Sequence, residues 1–519
     1  MKRAPIKKLF TPRTCVYINT AVMVFLSLYF FLIPAGLLIY DLNDPGLAGD
    51  KMPRCVFRWH KSLSPKYEKW AKSRLAAGVA PGLHDAGVSG TEWPVFGSVF
   101  YLWATEALQE AVDRDPSLSN RQPKDYARGT IQTATALVVD PNQATWIKDY
   151  WGDDYLTQKN LFYRMLLISA MTSYEKLIGD KRYIEPLRTQ VESLAEELDA
   201  SPYGLVEDYP GYTYPIDIVA AIGAIQRADA VLGTDHSEFV KRAVRGFQGS
   251  RLHEDTGLPG YLAHAQKGHA QDCARGIGLS FMLIWAPQLW PDTARDWYQK
   301  YETHFWQENK WFAGFREYSK DIETPWLEMS DPDAGPVVKG YGTGACAFGV
   351  AASRAQGRYD HTRALAAQAL VASWPLPDGS LLGPRVLSHF SEAPYLGEAT
   401  TLFIFAHRSP VQLVSRAQGR LPRSVYLALL LYISIGVYAL GSALYALRGW
   451  YRLQTTQSIS AAHLQVGIWC ILMACALVTC YAVHPLVGLM FMLVAQIFPR
   501  YVRRGRFQQR IAHLFRARS

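Results

Sequence analysis

Apolar positions follow two patterns along this chain. Near its two ends they run unbroken, and through its middle they recur every three or four residues among polar ones. The uncharged apolar tracts occupy 16–40, 424–447 and 464–498. A helix needs about 20 apolar residues to cross a hydrocarbon core of about 30 Å, so the first two tracts fit one crossing each. The third is 35 residues long, and His484-Pro485 inside it is a turn signal. It reads as two short crossings, which makes four in all.

The middle of the chain predicts an all-α domain. Helical periodicity covers 67–77, 96–113, 123–137, 159–178, 181–199, 215–232, 236–249, 273–288, 291–306, 343–355, 360–373 and 397–407. Short links with turn chemistry, such as Gly179-Asp180 and Gly233-Thr234-Asp235, alternate with long links at 78–95, 138–158, 200–214, 250–272, 307–342 and 374–396. Six helix pairs joined in this way point to an (α/α)6 toroid of six helical hairpins. All the long loops would then open on one face.

Charge orients the ends. Residues 1–15, the 448–453 connector and the tail from 499 hold 14 Lys and Arg and no acid, against a whole-chain net charge of +9. Four crossings place all three pieces on one side, the cytoplasmic one. Only Arg416, Arg420 and Arg423 fall on the other side, beside the second tract. The expected plan is a basic cytoplasmic N-terminus (1–15), a transmembrane helix (16–40), an extracytoplasmic toroid (41–420) and three further crossings (424–447 and two in 464–498). A basic cytoplasmic tail (499–519) completes it. The first tract exceeds a signal peptide's apolar run and no clear cleavage site follows, so it reads as an uncleaved anchor. The expected location is the cell (inner) membrane, multi-pass, with the large domain periplasmic.

Because the basicity is topological, the pI of about 9.0 does not point to nucleic acid. Cys55, Cys273 and Cys346 are too widely spaced for a disulfide framework or a zinc pattern. His264 and His269 lack the i, i+4 spacing of a helical metal pair. No nucleophile elbow, phosphate loop or dinucleotide fingerprint occurs, so neither a metal nor a cofactor is implied.

Chemistry is concentrated in the long loops, which are rich in carboxylates and aromatics: Glu92 and Trp93 in the first, Trp151 and Tyr155 in the second, and the run Glu207 to Asp217 in the third. The third run includes Asp208, Tyr212 and Tyr214. The fourth loop adds Tyr261 and His264, and the fifth Trp326, Asp331 and Asp333. Pro215 suits the first turn of a helix. Asp217 would then sit where the macrodipole favours a carboxylate and serve as a base. Glu207, ten residues earlier and flanked by Val206 and Tyr209, is the expected proton donor, with Glu92 and Asp333 in reserve. Carboxyls with pKa values pushed apart run acid and base steps in one site. The rings at a concave mouth suit a sugar face or an isoprenoid chain.

Several stretches together resemble the linalool dehydratase/isomerase family. These are Trp151-Gly152-Asp153-Asp154, Lys159-Asn160-Leu161-Phe162-Tyr163, Gly179-Asp180-Lys181-Arg182-Tyr183, Gly204-Leu205-Val206, Arg316-Glu317 and Asp331-Pro332-Asp333-Ala334-Gly335. The resemblance spans about residues 90 to 355. It implies an α/α toroid and addition or removal of water on an isoprenoid alcohol. Where the family has cysteines and a histidine, this chain carries Glu207, Asp217 and Met165-Leu166.

The expected activity is carboxylate acid–base catalysis by a membrane-anchored enzyme, with hydrolysis of a glycan or lipid-linked sugar preferred. A lyase or isomerase acting on an isoprenoid alcohol is the alternative, and a non-catalytic envelope scaffold the third reading. The expected partners are the lipid bilayer and a small-molecule or glycan substrate, with a homo-oligomer or envelope complex left open. Two carboxyls about 6.5–9.5 Å apart would indicate an inverting hydrolase.

Overall fold

Ten of the twelve helical stretches expected in the middle of the chain appear within a few residues of where periodicity puts them; one breaks in two, and the first begins at Arg54 rather than at 67. The computed structural model describes residues 12–78, 80, 87–248, 252, 255–329, 332–389, 391–408, 419–453, 459–482 and 485–495. Asp331, the turn at His484 and most of both basic termini lie outside the described residues. The chain divides into two units, Leu38–Leu427 and a second made of Met1–Leu37 with Ala428–Ser519.

In chain order the main helices are α1 (Pro12–Ser27), α2 (Ile33–Leu42), α3 (Arg54–Ala77), α4 (Glu92–Arg114), α5 (Arg128–Val139), α6 (Leu161–Leu177) and α7 (Ile184–Ala200). They continue with α8 (Pro215–Leu232), α9 (Ser237–Ala243), α10 (Gly276–Leu289), α11 (Pro291–Phe305), α12 (Thr343–Ala355), α13 (Tyr359–Ser373) and α14 (Leu396–Ala406). The last three are α15 (Arg423–Leu453), α16 (Ile459–Ala482) and α17 (Pro485–Ala495). The expected first hairpin helix starts earlier than periodicity indicated, because α3 continues through Pro65. The stretch 123–137 is two helices, interrupted at Ala127.

Among the described residues, five short strands lie in or at the edge of a stretch where periodicity showed a long loop: β1 (Trp306–Glu308), β2 (Ala313–Phe315), β3 (Leu327–Glu328), β4 (Val337–Val338) and β5 (Tyr341–Gly342). They form an antiparallel pair, β1-β2, and a three-stranded antiparallel sheet, β3-β4-β5. Two or three residues are too few for a period-2 signal, so the sequence pattern does not reveal them.

Within Leu38–Leu427 the helices fall into two sets. The sequence-ordered α4, α6, α8, α10, α12 and α14 each pack on the next, and α14 packs back on α4. These six are apolar nearly all round; α10, for example, buries every residue except Gln288. The other set is amphipathic: α11 buries only Ala294, Trp297, Tyr298, Tyr301 and Phe305. A helix apolar all round needs neighbours on every side, whereas a one-sided helix faces solvent. Of the second set, α5 lies on α4 and α6, α7 on α6 and α8, α11 on α10, and α13 on α12. Aromatic rings fill the space between the first six helices. Phe100 stacks on Phe403 at 5.1 Å, and Trp103 lies 4.7 Å from Trp285. Each such ring contributes roughly 1.5–3 kcal/mol by burial. Helix α8 has clear end signals, with Pro215 at its first position and Gly233 at φ +68° just past its end.

Among the described residues, two helical stretches are long and apolar enough to cross a membrane, Val16–Leu42 and Arg423–Tyr445. They leave large apolar side chains exposed, among them Phe25, Leu28, Leu430, Leu431 and Val437. Within the unit formed by the two ends, Ser27 Oγ donates to Gly436 O at 2.7 Å. A Cβ on Gly436 would come within 2.6 Å of Leu32, a close approach typical of small-residue helix contacts.

Candidate functional site

The first turns of α4 and α8, the turn before α8 and the β3–β4 loop bring four carboxyl groups together. Glu92 and Trp93 open α4, and Asp217 is the third residue of α8. Asp333 lies in the loop between β3 and β4. Trp93 Nε1 donates to Asp333 Oδ1 at 3.2 Å. The Tyr209 hydroxyl donates to Glu92 Oε1 at 2.6 Å. The charges of both Asp333 and Glu92 act on Asp217.

A turn that the sequence spells out carries Asp208 and Tyr209 into this cluster. In Tyr209-Pro210-Gly211-Tyr212, Gly211 has φ +82° and Tyr212 N donates to Tyr209 O at 2.8 Å. Proline second and a left-handed glycine third fit a type II turn. The turn folds back on itself, since Asp208 N donates to Tyr212 O at 2.9 Å and Tyr214 N donates to Asp208 Oδ2 at 2.7 Å. Asp208 is fully buried.

Electrostatics shift two of the four acids. Burial, then the charges of Asp333 and Glu92, pushes Asp217 up to about 8. Burial and the Asp217 charge hold Asp208 well above the usual carboxylate range, against the backbone donors that favour its ionised form. Burial and the Glu92 carboxylate also hold the Tyr209 phenol well above its normal range. Asp217 therefore holds its proton at neutral pH, beside Glu92 and Asp333, whose charges act on it.

This corrects the expectation that the α8 macrodipole keeps Asp217 ionised as a base. A helix start is worth about 0.3–1 kcal/mol to a carboxylate. Burial among other acids outweighs that. The expected donor, Glu207, is instead ion-paired with Lys159 at 3.0 Å, and the buried carboxyl is its neighbour Asp208.

The other expected site residues divide. Tyr214 caps α8, and its ring meets Tyr261 edge-on at 5.4 Å. The Arg275 guanidinium covers Tyr261 at 4.5 Å. Tyr212 is exposed at the turn. The Trp151 ring lies under the Lys159 ammonium at 5.5 Å. Tyr155 is buried against Tyr163, a packing position. The His264 backbone N–H donates to His269 O at 3.0 Å, and the two rings lie 5.8 Å apart. Trp326 is exposed on the β3 side of its hairpin. The reading from sequence missed Tyr209, which the adjoining Pro-Gly pair signals. It also missed an aromatic floor in which Phe96 sits 5.7 Å from Phe162 and 6.0 Å from Phe281.

The Asp333 loop rests on α12. Gly344 N donates to Ala334 O at 2.9 Å. A Cβ on Gly344 would lie 2.5 Å from Ile277 Cδ1 and 3.0 Å from Asp333 O. Gly344→Ala is expected to cost about 1–3 kcal/mol by overpacking and to displace Asp333. Denaturant melts and turnover numbers measured together check this. An alanine variant with unchanged stability and turnover would show that the loop is not held there. Compared with known protein families and with curated proteins, the chain matches none.

Proposed function

We propose that this protein is a membrane-anchored enzyme that runs acid–base catalysis on carboxyl groups, with Asp217 as proton donor and Asp333 or Glu92 as base. The observation that carries the reading is Asp217, raised to about 8 beside two carboxylates. Acid and base groups in one site, with their pKa values separated by environment, suit coupled proton transfer. The preferred reaction is hydrolysis of a glycan or lipid-linked sugar. Asp217 gives its proton to the leaving oxygen as the glycosidic C–O bond breaks. A water attacks the anomeric carbon and passes its proton to the carboxylate. Trp93, Tyr209 and Tyr261 supply flat faces for a sugar.

The floor of Phe96, Phe162 and Phe281 favours a second reading, in which an isoprenoid alcohol loses or gains water at the same acids, as the resemblance to the linalool dehydratase/isomerase family implies. The architecture we propose is the closed (α/α)6 toroid, supported by the closing contact of α14 on α4. Four membrane crossings with the toroid outside the cytoplasm complete the proposal. Its support is the exposed apolar surface of the two long helices, the packing of α17 against α16 and the basic pieces at both ends.

The test uses the full chain in detergent, offered envelope glycans and prenyl alcohols, with products read by mass spectrometry. Bond cleavage with gain of water is expected, lost in Asp217→Asn and Asp333→Asn and kept in Glu207→Gln. Water loss or gain on a prenyl alcohol with the same mutant pattern selects the second reading. Wild-type turnover in Asp217→Asn would overturn both.

A further inference from the structure

One apolar surface lies outside the carboxyl site and its parts are contiguous. Trp311 and Phe312 sit at the tip of the β1–β2 hairpin, 48% and 49% exposed. Isolated exposed apolar residues are ordinary, but these two adjoin more of the same. The Phe312 ring lies 6.3 Å from Tyr341, and Asn309 Nδ2 donates to the Tyr341 hydroxyl at 3.2 Å. Tyr341 pairs with Val338 across β4–β5, and Val338 pairs with Leu327 across β3–β4. Directly paired residues project from the same face of a sheet. Leu327, Val338, Tyr341 and Phe312 therefore form one face, and Leu327 and Val338 are exposed.

The chain itself indicates what covers this face. Arg423 N donates to Lys310 O at 3.0 Å, and Ser424 N donates to Trp311 O at 3.1 Å. The Arg423 guanidinium lies 5.9 Å from the centre of the Trp311 ring. Arg423 is also the first residue of the stretch Arg423–Tyr445, which is long and apolar enough to cross a bilayer. Its next large residues, Tyr426 and Leu427, are exposed. The hairpin tip is thus tied to the point where the chain would enter lipid. Tryptophan with arginine and lysine is the usual composition of a membrane–water boundary. Beside the face, a cleft of about 420 Å³ is lined by Lys320, Lys339, Glu323 and Trp326, with Arg316 held by Gln307 and backbone carbonyls; its two lysines suit anionic headgroups.

We propose that the Trp311–Phe312 hairpin tip and the Leu327–Val338 face seat in the headgroup boundary of the bilayer that the Arg423 helix enters. An apolar face rimmed by cations binds at that depth. The β3–β4 hairpin also carries Asp333 in its loop, so the lipid surface would brace one carboxyl of the site. The proposal does not depend on the acid–base reading, and its test needs no activity.

The experiment places a photoreactive benzophenone amino acid singly at Phe312, Leu327 or Trp326 in the full chain. A fourth position, Glu238, has a side chain 73% exposed on α9. Each protein is reconstituted in vesicles of phosphatidylethanolamine and phosphatidylglycerol, irradiated and analysed by mass spectrometry. The expected result is a mass shift of one phospholipid at Phe312, Leu327 and Trp326, and none at Glu238. Absence of lipid adducts at those three positions, or equal adducts at all four, would overturn the proposal.

Discussion

Asp217→Asn is expected to lose turnover by about 10²–10⁴-fold while making the protein more stable at pH 8. Both effects follow from one displaced pKa. Asp217 is held at about 8 in the folded chain by burial and by Asp333 and Glu92, against about 3.9 for a free aspartate. The folded state therefore binds a proton that the unfolded state releases between about pH 4 and 8. Stability from this group is complete below about pH 4 and is lost as pH rises toward 8. Asparagine never ionises, so the gain appears at pH 8, on the order of 2–4 kcal/mol, and vanishes near pH 4. Wild-type turnover should fall on the alkaline side as the acid deprotonates near pH 8. Thermal melts at the two pH values, with a pH–rate profile, check the set. An Asp217→Asn protein less stable than wild type at pH 8 would contradict the assignment.

Glu317→Ala is expected to destabilise the protein by about 3–5 kcal/mol, the cost of removing one partner of a buried ion pair. Glu317 is fully buried, and its Oε1 accepts from Arg275 Nε at 2.9 Å. Its Oε2 accepts from Ile277 N at 3.2 Å, in the first turn of α10. Arg275 in turn covers Tyr261, which packs on Tyr214 at the start of α8. Losing the carboxylate removes a buried ion-pair partner of Arg275 and an acceptor at the start of α10 together. Glu317→Gln keeps an acceptor for Ile277 N and should cost less than Ala. Chemical denaturation of the full chain in detergent measures both. A loss below about 1 kcal/mol for Ala would place the pair among weak surface contacts.

The helices were legible because their signals are local and repeated. α8 and α12 begin and end where periodicity and end residues put them, and the Pro-Gly pair at 210–211 marks its turn. The short strands were not legible. Pairs such as Leu327 with Val338 depend on residues brought together across a loop, and two residues leave no pattern to read. The exposed face they build became visible only in three dimensions.

The acids show the same division. Sequence supplied the cluster's members, since Glu92, Asp208, Asp217 and Asp333 all lie in the long loops or first turns that it singled out. It did not assign their roles. The macrodipole argument for Asp217 was sound but small, and it was outweighed by burial and by two carboxylates from distant parts of the chain. Glu207 and Asp208 are neighbours with similar local surroundings, yet one is paired with Lys159 and the other is sealed in a turn. Helix positions, apolar tracts and the candidate acids follow from spacing, which the sequence contains. Protonation follows from desolvation and charge–charge distance, and only the packed chain sets those.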